Sequence, residues 1–238
     1  MERRLARMFA GFPYGATKVA WVFLFLVAYA TGIYAWDVLA TTHWLGARET
    51  TAIIFEHLPR VDNVILLIHV STALPALLIG IWEFLPSLRR GSALRIHRWF
   101  GKVYVVAILV SSVTGLVLAL HSTHGWIARA GFGTLAIVWF TTTWMAYSTV
   151  VGRDLKAHRR WMIRSYGITL AVVTVRLLAK PKFGIEPALW YPIMTWLCWV
   201  PNFALAEAYV RLTDFKGRIS LGGVRRRHVL AAAAHGSR

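Results

Sequence analysis

Six runs of about twenty mostly apolar residues decide what this chain of 238 residues can become. A helix rising 1.5 Å per residue needs roughly that many residues to cross ~30 Å of hydrocarbon, and inside it every backbone polar group must be satisfied within the segment. The runs cover residues 19–40, 64–85, 99–120, 132–151, 161–178 and 189–209. No stretch alternates with the period of a strand. The expectation is an all-α integral membrane bundle of six transmembrane helices. The first run follows a basic start, as a signal peptide would, but it continues through Trp36, long enough to span and to stay uncleaved.

The segments between the runs set the orientation. Arg3, Arg4, Arg7 and Lys18 precede the first run. Arg89, Arg90, Arg95, Arg98 and Lys102 lie around the start of the third, and Arg153, Lys156, Arg159, Arg160 and Arg164 around the start of the fifth. Together with the tail from Arg211, these alternate segments hold 21 of the 27 Lys and Arg. Positive charge is retained on the cytoplasmic side, so both ends of the chain are expected there, in a bacterial inner membrane. This divides the chain into a basic cytoplasmic segment at 1–18, a transmembrane domain at 19–212 and a basic cytoplasmic tail at 213–238. Trp36 and Trp44 on one side, and Trp99 and Trp161 on the other, mark the interfaces with lipid.

The net charge of +17 would otherwise suggest a nucleic-acid partner. Only 16% of the residues are charged, however, against ~25% in soluble domains, and the basic groups sit in short runs between apolar spans. The lipid bilayer is the partner this pattern implies, and nucleic acid is excluded. Cys198 is the single cysteine, which excludes an intrachain disulfide or a paired-cysteine redox centre and leaves a small apolar side chain within a helix.

Ionisable side chains within spans are costly and therefore either paired or functional. His97 and His158 open the third and fifth spans on the cytoplasmic side. His69 lies within the second span, and His121, with His124, closes the third on the opposite side. Two levels with two histidines each, on separate helices, suit axial ligation of b-type haem between helices. Arg98, Arg159 and Arg164 would then face the propionates. Gly115, with Ser111 and Ser112, would let a flat ring approach the third helix closely. Other readings stand beside this one. His97 and His158 sit in basic interfacial runs, where an imidazole contacts lipid phosphate or caps a helix. His69 has the character of a packing histidine bonded across helices, and His121 and His124 that of a solvated turn. The 24 residues from His97 to His121 span ~36 Å of helix, so the cytoplasmic pair is the stronger of the two sites.

Glu83 shares a helix face with His69, fourteen residues earlier, and His158 shares one with Arg176, five turns later. These positions allow a polar stripe that carries protons or pairs with Glu83 or Glu207; the alternative is charged side chains snorkelling from helix ends. The spacing of His121 and His124 would allow a metal on a helix, and with His69 and Asp62 would make an intramembrane metal hydrolase a third reading.

Three stretches resemble a bacterial family of multi-pass predicted membrane proteins. They are His97-Arg-Trp-Phe-Gly-Lys-Val-Tyr104, His158-Arg-Arg-Trp-Met-Ile-Arg-Ser-Tyr166, and Trp199-Val-Pro-Asn202 followed by Glu207. The resemblance extends over about residues 64–208. It implies the topology and the importance of His69, His97, His158 and Arg164, with no reaction attached; members often carry Gln where this chain has Glu83. More loosely, the placing of histidines at helix ends is similar to transmembrane di-haem cytochrome b and ferric-reductase bundles. The leading expectation is therefore a haem-b-binding electron carrier with bis-histidine ligation, its cofactor-binding residues being His97, His158, His69, His121, Arg98 and Arg164 and its partner a quinone or a redox protein. The alternative is a non-enzymatic transporter or assembly partner whose histidines and arginines serve helix packing or proton coupling.

Overall fold

A computed structural model describes residues 22, 25–33, 60–178 and 184–215, and every described element is helical. The chain forms α1 over 25–33, α2 over Arg60–Glu83, α3 over Leu94–His121 and α4 over Gly125–Val151. It continues with α5 over Leu155–Thr169, α6 over Ala171–Leu177, α7 over Pro187–Leu197 and α8 over 200–215. Two short 3-10 turns, Pro86–Arg89 and Gly91–Ala93, connect α2 to α3. Among the described residues, three stretches are long and apolar enough to cross a membrane: Val64–Glu83, Gly91–His121 and Gly125–Val151. Trp36, Trp44, the basic start and the tail with Arg225, Arg226 and Arg227 lie outside the described residues.

Successive helices pack side by side, α2 on α3, α3 on α4 and α4 on α5, with α7 against α4. The α2–α3 pair runs antiparallel in a definite register. Fourteen residues along α2, from His69 to Glu83, match fourteen back along α3, from Ser111 to His97. Fourteen residues are nearly four turns, so both contacts fall on one helix face. The core closes on Ala76, Ile81, Tyr104, Ile108, Ile168 and Cys198. Outward-facing side chains such as Val106, Val113, Ile137 and Leu205 are apolar and exposed, as a lipid-facing surface requires.

Two expected spans are interrupted. The run at 161–178 is divided at Leu170, where α5 ends and α6 begins, so His158 and Arg176 do not lie on one continuous helix. The run at 189–209 is divided by a turn at Cys198–Trp199, just ahead of Pro201, whose ring removes a backbone donor and bends a helix. The tight α4–α5 turn places Arg153 at φ 62, and Asp154 caps α5 by accepting from the Ala157 N–H at 2.9 Å.

Candidate functional site

The turn between α2 and α3 folds the end of one helix onto the start of the next, which brings Glu83 against His97. His97 Nδ1 lies 2.8 Å from Glu83 Oε2, with side chains 18% and 4% exposed. The contact is one of proximity and charge rather than an aligned hydrogen bond, and Glu83 Oε1 is buried with no partner among the described residues. His158, one turn into α5, is drawn inward where its Nδ1–H donates to the Ala146 carbonyl of α4 at 2.8 Å. Burial holds the His158 imidazole below its ordinary range. The bond to Ala146 opposes that, the neighbouring His97 adds to it, and Glu83 opposes it again. His158 therefore senses both His97 and Glu83, and the three belong to one electrostatic cluster contributed by three helices.

The arginines of this end divide into two groups. Arg89 donates to the Phe84 carbonyl at 3.1 Å. Burial first, then Arg159 and Arg90, lower its guanidinium from the usual range, while Glu83 pulls the other way. Arg98 is exposed. Arg164 is directed elsewhere: its Nε donates to Glu207 Oε2 at 2.7 Å and its guanidinium lies 4.7 Å over the Trp161 ring. Glu207 Oε1 also accepts from Arg211 at 2.7 Å, and Arg160 pairs with Asp214 at 2.9 Å. These pairs fasten α5 to α8. Among the described residues Glu83 is engaged by His97, and Glu207 by Arg164 and Arg211. Glu207→Gln is expected to cost about 1–2 kcal/mol, because it leaves a half-buried guanidinium short of its charge partner. A lower melting temperature, with Glu207→Asp milder than Glu207→Gln, checks this.

His69 occupies the groove between α2 and α3. Its Nδ1–H donates to the Ser111 carbonyl at 2.9 Å, with Thr114 Oγ1 at 3.4 Å. The flat ring that the small residues of α3 admit is this imidazole: a Cβ on Gly115 would stand 2.9 Å from His69 Cε1. His121 is the last residue of α3 and His124 precedes α4, so the two straddle a turn instead of sharing a helix. His124 stacks on Tyr191 with ring centroids 3.8 Å apart. No group of three His, Cys, Asp or Glu among the described residues is placed to hold a metal ion. His69, His121, His124 and Arg176 instead line one cavity of about 960 Å³.

Between the two ends, buried hydroxyls join three helices. Ser165 Oγ of α5 lies 2.9 Å from Tyr104 OH of α3 and 2.7 Å from Thr143 Oγ1 of α4. Thr169 Oγ1 accepts from Trp139 Nε1 at 2.9 Å and lies 3.2 Å from Tyr104 OH. Sequence reasoning missed this network, although the small hydroxyl residues on the inward faces of α4 and α5 were a usable signal.

A stability prediction follows from His158. A histidine titrates near pH ~6.5 when the chain is unfolded and, being buried here, lower when folded. The folded state then binds fewer protons, so stability is complete above about pH 6.5 and falls as the pH drops through and below that value. The melting temperature should decline between about pH 7 and about pH 5, and His158→Gln should flatten that decline.

No curated protein and no solved structure matches the chain. A family model described as Predicted membrane protein (DUF2306) matches residues 66–210, from before His69 to beyond Glu207. The chain belongs to this family of membrane proteins.

Proposed function

We propose that the chain is a haem-b-binding electron-transfer protein of the bacterial inner membrane, with His97 and His158 as the axial ligands. One observation carries the reading. Imidazoles from two separate helices are each set against an oxygen at Nδ1: His97 lies 2.8 Å from Glu83 Oε2, and His158 donates to the Ala146 carbonyl at 2.8 Å. Histidines that ligate iron are oriented in this way, with the second nitrogen anchored to a carboxylate or carbonyl. For His158 the donated proton sits on Nδ1 and leaves Nε2 with its lone pair. The donor set therefore fits the group: neutral nitrogen ligands on facing helices, beside the cations Arg89, Arg98 and Arg159 suited to propionates. Haem b supplies a one-electron couple when bound, with a quinone or a redox protein as partner. Glu83 and Ala146 hold the two rings in place. The proposal is confined to the cytoplasmic pair.

The same reading takes the molecule as six spans with both ends of the chain cytoplasmic. It is supported by the gathering of three basic segments at one end, through the Glu83–His97, Arg160–Asp214 and Arg164–Glu207 pairs. Alkaline phosphatase fused after His124 should be active and the same enzyme fused after Asp154 inactive; the reverse pattern would invert the topology.

The decisive experiment is an absorption spectrum of protein purified from haem-replete cells. A Soret band is expected, lost or strongly shifted in His97→Ala and His158→Ala but retained in His121→Ala. Colourless, folded wild-type protein overturns the proposal. A second reading, a transporter or assembly partner without cofactor, is favoured by the ion pairs of α5 with α8 and by the Gly115–His69 contact, which place arginine and histidine in helix packing. Wild-type protein without a spectrum, destabilised by Glu207→Gln, would support it.

A further inference from the structure

The packing of α2 on α3 leaves one nitrogen of His69 unused. Nδ1 faces the Ser111 carbonyl at 2.9 Å, an oxygen that only accepts, so the proton sits there and Nε2 of the neutral ring holds a lone pair. The Nδ1–Cε1 edge is also the one set against Gly115, where a Cβ would stand 2.9 Å from Cε1 and 4.0 Å from Nε2. Among the described residues the ring bonds through Nδ1 and not through Nε2. Nor is Nε2 sealed in protein: the buried polar atoms without a partner among the described residues are Glu83 Oε1, His97 Nδ1, Ser112 Oγ and Trp199 Nε1. His69 lines the cavity of about 960 Å³, within the ~300–1,000 Å³ range of small-molecule sites, and its acceptor opens there.

Beyond His69 this cavity is apolar. Val70, Ala73, Leu74 and Leu77 follow it along one face of α2, eight residues or ~12 Å to Leu77. The buried side chains of Ala136, Trp139 and Ile168 add walls from α4 and α5. The hydroxyls of Ser111 and Thr169 in the lining donate to the His69 and Ser165 carbonyls at 3.4 and 3.0 Å. The basic groups nearer the end of α3 are engaged as well: Arg176 donates to the Val172 carbonyl at 3.2 Å, His124 stacks on Tyr191, and His121 has an interaction of its own. Nothing in the lining therefore calls for an anion. The demand it leaves is for one donor at the end of a hydrocarbon body.

We propose that this cavity binds a neutral, membrane-soluble hydroxyl compound, whose O–H donates to His69 Nε2 and whose body lies along Ala73, Leu77 and Ile168. A hydrocarbon or an ether of the same shape would leave the buried lone pair unmet, and water would leave the apolar length unfilled. Phenols and isoprenoid alcohols share this chemistry. The site is separate from the His97–His158 cluster and stands or falls independently of haem.

The test uses the full chain in phosphatidylcholine nanodiscs with radiolabelled farnesol as the probe, empty nanodiscs correcting for partition into lipid. Saturable binding of one farnesol per chain is expected. Farnesyl methyl ether, with the same body and no donor, should compete about tenfold more weakly, the factor that loss of one hydrogen bond to a buried acceptor brings. His69→Phe keeps a flat ring against Gly115 and removes the acceptor, so alcohol and ether should then bind alike; a role in packing alone would leave their ratio unmoved. Val172→Trp, at a half-buried position of the wall, should weaken both by occupying the volume, and it carries the test if His69→Phe does not fold. Competition by 4-nonylphenol stronger than by farnesol identifies a phenolic head, and weaker competition an isoprenoid alcohol; either supports the site. Equal binding of alcohol and ether by the wild type, a preference that survives His69→Phe, or farnesol binding unchanged by Val172→Trp overturns it.

Discussion

Gly80→Val is expected to cost about 3–5 kcal/mol and to leave little protein that survives extraction in detergent. Even the first atom of a side chain at this position would stand 2.6 Å from Tyr166 Cε2 and 2.7 Å from Tyr104 Cε2. Neither ring can retreat freely. Tyr104 OH is held among Ser165 and Thr169, and Tyr166 OH donates to the Leu77 carbonyl at 3.2 Å. Both tyrosines are buried, Tyr104 completely. Overpacking a close-packed site costs ~1–3 kcal/mol, and each buried hydroxyl torn from its partner adds ~1–3 kcal/mol. Gly80→Ala should already lower the melting temperature. Removing one ring in the double variant Gly80→Ala, Tyr166→Leu should recover part of the loss. A Gly80→Val protein with wild-type melting temperature would show that α2, α3 and α5 do not meet here.

If His97 and His158 ligate haem as proposed, Glu83→Ala is expected to lower the affinity for it about tenfold to a hundredfold, the usual effect of deleting the group that orients a ligating histidine. The carboxylate, on the helix preceding that of His97, is almost fully buried and lies 2.8 Å from His97 Nδ1, so without it the ring loses its nearest polar neighbour on that side. Glu83→Gln keeps an oxygen of the same reach and should retain more haem than the alanine variant, with an altered reduction potential because the charge is gone. Cofactor retained after gel filtration measures both. Equal haem content in wild type, Glu83→Gln and Glu83→Ala would assign the Glu83–His97 contact to packing alone.

How much of this was legible beforehand differs from residue to residue. The apolar runs named α2, α3 and α4 because a stretch of that length and composition has one stable form in lipid, the helix. The depth of each histidine followed from counting along its run, so His97 and His158 were placed at one end and His69 and His121 toward the other. The breaks at Leu170 and Cys198 were not legible for the same reason: hydropathy averages over a run and does not register where a helix turns.

Partners were hidden more deeply. Glu83 and Glu207 were both visible as acids near the ends of spans, and pairing either with Arg176 was reasonable on a straight helix. The folded chain sets Glu83 against His97 and Glu207 between Arg164 and Arg211. Gly115 was read as room for a flat ring, and the ring that fills it belongs to His69.

Taken alone, then, the amino-acid sequence determined a helical membrane protein and the position of each ionisable group along its own apolar run. These depend on position along single helices and on transfer from water to lipid, both local properties. Only the tertiary structure decided which imidazole meets which oxygen, where hydroxyls of three helices join, and that His69, the His121–His124 turn and Arg176 line one cavity. Those outcomes depend on how each helix is rotated about its axis and slid along its neighbour, and that is settled by close packing at small residues between helices.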